Sequence, residues 1–182
     1  MQNGPFIDKT QKIAYVGYHA EYQPPKLKFC TTEEISGFAD RSGVLQDNSV
    51  IACLHMQKAG YPMDYFALPE EVDLNALRDL SKQLQQYDYI IIGVHDCLAQ
   101  RHNMLKIPSE EAWILQQLAR TKPTAVLYFG NPYSAFRLPF IKDTDAFFVC
   151  YSDTYYNEEA VADIMMGKIP AVGQLPVTLP KK

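Results

Sequence analysis

Apolar runs rich in β-branched and aromatic residues recur at residues 12–17, 49–56, 89–94, 125–129 and 146–151. Each is short and nearly continuous rather than alternating, which is the pattern of strands buried on both faces. Stretches of helical period fall between or after them. Thr31-Thr32-Glu33-Glu34 has capping-box spacing and predicts a helix to about Arg41. Asp73 is placed to cap a segment that carries Leu74, Leu77, Leu80 and Leu84 on one side. Ser109-Glu110-Glu111 opens a helix bearing Trp113, Leu115, Leu118 and Ala119, with its acids at the positive end of the helix dipole. Asn157-Glu158-Glu159 opens another with Val161, Ile164 and Met165, and Gly167 is suited to cap it.

Strand–helix alternation at this spacing predicts an α/β fold. The expected architecture is a three-layer sandwich around a mostly parallel, about five-stranded, flavodoxin-like sheet. Residues 61–69, bracketed by Pro62 and Pro69, predict a short edge strand. Three prolines (Pro170, Pro176 and Pro180) bar a central strand after Gly167, so an extended, Pro-rich C-terminal arm is expected over 168–182. With no internal repeat or long linker, residues 1–182 read as one α/β domain, with the sheet–helix body over 10–167.

Composition narrows the classes without choosing one. The 182 residues are 47% hydrophobic and 21% charged, with Gly 9 and Pro 12, which excludes collagen-like and low-complexity chains. Seventeen Lys and Arg against 21 Asp and Glu give a net charge of −4, and no basic face stands out. Nucleic acid is therefore not an expected partner, since phosphate neutralisation supplies most of such affinity. The longest strongly apolar stretch, 89–94, is far below the roughly 20 residues needed to span a bilayer, so no membrane partner is expected. No apolar signal segment is visible in residues 1–10. Localisation stays open.

The four cysteines, at 30, 53, 97 and 150, lack the close spacing of a zinc or redox motif and read as reduced, structural residues. No metal and no cofactor is expected. No two glycines stand two residues apart, which excludes the dinucleotide fingerprint, and the phosphate-loop spacing is missing as well. Ser134 lacks the glycine flanks of a nucleophile elbow.

Ligands of a parallel α/β sheet bind beyond the carboxyl ends of its strands. Those ends are expected at residues 18–22, 55–56, 95–97, 130–133 and 152–153. Together they form a rim with Tyr18, His19, His95, Asp96, Asn131 and Tyr133 as the candidate contacts to a sugar or another domain. His55 belongs to the same expected rim. Adjacent residues of an extended chain point to opposite sides, so His95-Asp96 is no ready-made acid–base couple. A hydrolase built on His95, Asp96 or Cys97 is the weakest reading. Glu21, Glu70 and Glu71 fall in loops and take no assigned role. Catalytic residues: none.

Two stretches are more specific. Ala125-Val126-Leu127-Tyr128-Phe129 runs into Gly130-Asn131-Pro132-Tyr133. Farther on, the helix ending at Gly167 leads into Gly173-Gln174-Leu175-Pro176-Val177-Thr178-Leu179-Pro180. Together they resemble the C-terminal α/β domain of glycoside hydrolase family 3, especially its β-N-acetylglucosaminidase branch. Gln174 stands where that family usually has a basic residue, and residues 18–29 match nothing in its pattern. The resemblance covers the last third of the chain well and the earlier strands in layout.

What it implies is an accessory domain. In that family the nucleophilic aspartate lies on an N-terminal (β/α)₈ barrel of typically ~250 residues. A retaining mechanism needs two carboxyl groups about 5–5.5 Å apart. No barrel and no nucleophile motif is present here, so the chain alone is expected to be inactive. Its expected partner is the barrel, with carbohydrate as a further ligand and self-association through the barrel-facing surface. The alternative is a free-standing flavodoxin-like binding module with a Tyr-rich strand-end rim.

Overall fold

A computed structural model describes residues 6–18, 50–68, 73–95, 107–135, 138–152 and 154–174. Five strands form one parallel sheet: β1 (Ile13–Tyr18), β2 (Met63–Leu68), β3 (Tyr89–His95), β4 (Thr124–Phe129) and β5 (Ala146–Val149), in the order β2-β1-β3-β4-β5. Four α-helices accompany them among the described residues: α1 (Ile51–Lys58), α2 (Leu74–Leu84), α3 (Ser109–Thr121) and α4 (Tyr155–Met165), with a short 3-10 helix at Pro139–Asp143. This is the flavodoxin-like doubly wound order.

The three central strands are buried along their whole length, which is why their sequences do not alternate. Ala14, Val16, Ile90, Ile92 and Val126 face α2 and α3. Ile13, Tyr15, Ile91, Ala125 and Leu127 face α1 and α4. Two apolar layers, one on each side of the sheet, make the sandwich.

One expected strand is a helix. The run at 49–56 forms α1, with Ile51, Ala52, Cys53 and Met56 buried on its inner side. A short apolar run satisfies a buried helix as well as a buried strand, and periodicity alone does not separate them. The fifth strand is instead the Pro-bracketed segment, which becomes edge strand β2 beside β1. His55 moves with the correction: it lies in α1, not at a strand end.

The helix signals hold better. The Asp73 carboxylate accepts the Asn75 N–H at 3.0 Å and caps α2. α4 starts at Tyr155, two residues before the expected Asn157. Gly167, at φ 72°, lets the Lys168 N–H reach the Asp163 carbonyl at 2.9 Å and its own N–H reach Ile164 at 3.0 Å. That pair of bonds is a Schellman cap. Trp113, on the same helix α3 as the buried Leu115, Leu118 and Ala119, is 58% exposed. The expected helix at 31–41 lies outside the described residues, as does the arm from 175 onward. Residues 168–174 belong to no helix or strand and are largely exposed. No helix among the described residues is long and apolar enough to cross a membrane.

Candidate functional site

In the order 2-1-3-4-5 the connections diverge between β1 and β3, and a crevice opens outside their carboxyl ends. Tyr18 ends β1 and His95 ends β3. The two flank the crevice but leave the sheet on opposite faces, because Tyr18 pairs with Val94 and His95 follows it by one residue.

The Tyr18 hydroxyl donates to the carboxylate of Glu111, in the first turn of α3. Both residues are buried. Burial, and then the carboxylate beside it, push the Tyr18 phenol far above its ordinary value of about 10. Tyr18 is thus a neutral donor, not a nucleophile. His95, 4% exposed, lies flat on Phe129 with ring centroids 4.7 Å apart and planes 15° apart. Its place is a packed one.

A second buried carboxylate sits at the N-terminus of α1. Glu158, in the first turn of α4, accepts the Ala52 N–H at 3.1 Å, so it satisfies an otherwise orphan helix donor and neutralises the positive end of the helix dipole. Beneath it Tyr15 lies fully buried. Its hydroxyl has no hydrogen-bond partner among the described residues.

The Gly-Asn-Pro-Tyr segment turns the chain out of β4. Asn131 Oδ1 accepts the Tyr133 N–H at 3.0 Å, and the Asn131 carbonyl accepts the Ser134 N–H at 2.8 Å. This Asx turn leaves the Tyr133 side chain 54% exposed. After β5 the chain makes a sharper reversal. Tyr151 has φ 61°, and the Ser152 N–H reaches the Cys150 carbonyl two residues back at 2.7 Å. This is a γ-turn of the rarer, positive-φ kind. Asn157 Nδ2 ties it down, reaching the carbonyls of Cys150 and Ser152, each at 3.1 Å, and Ser152 Oγ at 2.7 Å. Tyr156, next to Tyr155 in an edge-on pair with centroids 5.5 Å apart, is also exposed.

His55 sits away from these groups, between two carboxylates of α4: Asp163 at 2.9 Å from Nε2 and Glu159 at 3.3 Å from Nδ1. It joins α1 to α4. Burial, then the nearby Asp64 and Glu158, push the Cys53 thiol well above its ordinary value, so it is inert packing. Among the described residues no group of His, Cys, Asp and Glu side chains is arranged to hold a metal.

Of the six expected contacts, Tyr18, His95, Asn131 and Tyr133 stand at the carboxyl ends of the strands. His19 and Asp96 lie outside the described residues, as do Glu21, Glu70, Glu71 and Cys97. The sequence reading missed Glu111 and Glu158 as buried carboxylates, and missed Tyr151 with its tie to Asn157. Glu111 and Glu158 carried a signal, since both stand in first turns; nothing in the sequence foretold their burial.

Comparison with known proteins adds one finding. No family model matches the chain, and no curated protein matches its sequence. A solved structure does match: a glycoside hydrolase family 3 β-N-acetylglucosaminidase from Paenibacillus sp. str. FPU-7, with a TM-score of 0.65 and 16% identity, over 98% of this chain. The likeness is one of fold. The chain corresponds to only 29% of the length of that enzyme, the proportion of one domain within a larger protein.

Proposed function

We infer that this chain is an accessory α/β domain of a family 3 glycoside hydrolase of the β-N-acetylhexosaminidase type. Its carboxyl-end rim packs on a catalytic (β/α)₈ barrel that this chain does not contain, and helps to shape the sugar site. The observation that carries the reading is the match in fold over 98% of this chain to 29% of a family 3 β-N-acetylglucosaminidase. The Gly130–Tyr133 turn adds to it, because the segment that resembles the family falls at the mouth of β4, on the rim itself. In this reading catalysis is left to the barrel, and the two buried carboxylates described at the rim serve structural bonds: Glu111 to Tyr18, and Glu158 to the α1 N-terminus.

The test has two steps. The gene is read outward for a barrel-coding frame, and the barrel is then assayed on an aryl N-acetyl-β-glucosaminide with and without this chain. The expected result is an inactive isolated chain, a one-to-one complex and faster hydrolysis in the complex. Absence of any barrel in the same frame or its neighbourhood overturns the reading and leaves a free-standing binding module. In the absence of the barrel, self-association through the same rim is expected.

A further inference from the structure

We propose that Tyr151 is a sugar-stacking residue at the mouth of β5, and that Asn157 is its positioning residue. The proposal rests on the glycosidase-domain reading above. It begins from a cost. A bulky residue with φ near +60° is a genuine outlier, whereas Gly or Asn would take the same turn easily. Such strain persists only where the surroundings over-determine it, and it gathers at functional sites.

Here the surroundings do so. The Ser152 N–H closes the turn on Cys150 at 2.7 Å, and the Asn157 amide grips the residues on both sides of Tyr151. Asn157 belongs to the first turn of α4, so a helix holds the turn that carries the ring. Burial does not account for the choice of tyrosine, because the residue is 46% exposed. Tyr133 and Tyr156, also exposed, stand at the same end of the sheet. A pyranose offers an apolar C–H face ringed by hydroxyls and, in an N-acetylhexosamine, an amide. Rigid phenol faces set among amide and hydroxyl groups are the complementary surface.

The full chain is titrated with the β-1,4-linked dimer of N-acetylglucosamine, and the tyrosine ring resonances are followed by NMR. The expected result is a saturable perturbation of the Tyr151 ring at millimolar sugar. Tyr151→Asn keeps the turn and removes the ring. It weakens binding by about tenfold or more, while the Tm holds or rises by about 2–4 °C as strain is released. Tyr151→Phe retains binding. Asn157→Ala weakens binding when Tyr151 is present and adds nothing to Tyr151→Asn, so the two effects are coupled.

The proposal is overturned by an unperturbed Tyr151 ring, by wild-type binding in Tyr151→Asn, by additive effects of the two substitutions, or by a fall in Tm in Tyr151→Asn, which would make the ring a packing element. Sugar binding at Tyr151 with no barrel encoded nearby keeps this site and removes the accessory-domain reading. A barrel complex with an unperturbed ring does the reverse.

Discussion

The Tyr18 hydroxyl, at the carboxyl end of β1, hydrogen-bonds the Glu111 carboxylate in the first turn of α3, 93 residues farther along the chain. Both groups are buried, so neither can turn to water for a replacement partner. The bond therefore anchors the start of α3 beside the crevice where β1 and β3 diverge.

Tyr18→Phe removes the donor and leaves a buried carboxylate short of one bond. A loss of about 1–3 kcal/mol is expected, read as a lower urea midpoint with an unchanged slope. Glu111→Gln keeps an acceptor for the hydroxyl and is expected to cost less. Equal costs for the two substitutions would mean that the pair is not what holds α3.

Much of this fold was legible in the sequence, and the failures share a cause. β1, β3 and β4 are uninterrupted apolar runs because both faces of the sheet are covered, and period and length both identified them. The run at 49–56 carries equally apolar residues, but its neighbours make a helix of it from Ile51 onward. Only the packing of α1 on α4 decides that, and packing is not a local property. Residues at the carboxyl end of the sheet divide in the same way. Tyr18, Asn131 and Tyr133 were placed at that end because they stand at the close of apolar runs. Glu111 and Glu158 stayed hidden because an acid in a first turn has the same local explanation whether it is exposed or buried. Tyr151 was missed because its backbone angle is imposed by Asn157 and by the end of β5, not by its own preference.

Tyr15 and Gly93 make a second linked pair. A Cβ built on Gly93 would stand 2.8 Å from Cε1 and Cζ of Tyr15, closer than carbon atoms can approach. Glycine in the middle of a central strand is there to admit that ring. Gly93→Ala must displace a fully buried aromatic side chain, and a cost of about 1–3 kcal/mol is expected. Tyr15→Phe removes the hydroxyl that has no partner among the described residues, and is expected to be neutral or stabilising. It also relieves part of the clash. The double variant should therefore be more stable than the two single effects predict, and a thermodynamic cycle measures the difference. Additive effects would place the strain of Gly93→Ala elsewhere.

Stability should fall at both ends of the pH range, for reasons that can be assigned to residues. Burial and the Asp64 carboxylate push Tyr87 up to about 12, while burial and Asp145 do the same for Tyr89. Tyr18 and Cys53 are raised as well. In the unfolded chain the phenols ionise near pH 10 and the thiol near 8.5. Above those values the native state therefore binds more protons than the unfolded state, so stability decreases as pH rises. At the acid end the signs reverse. The Asp143 carboxyl is lowered by hydrogen bonds from Gln116 and then Arg120. For Asp163, burial pushes upward, but bonds from Lys168 and His55 outweigh it and leave the carboxyl lowered. Unfolded aspartates take up protons near pH 3.9, where these native ones stay ionised, so stability falls below about pH 4. Urea midpoints measured across the range should trace a plateau that drops on either side. Asp143→Asn should flatten the acid limb and leave the alkaline limb unchanged. If it shifts both limbs equally, the acid limb does not belong to this carboxylate.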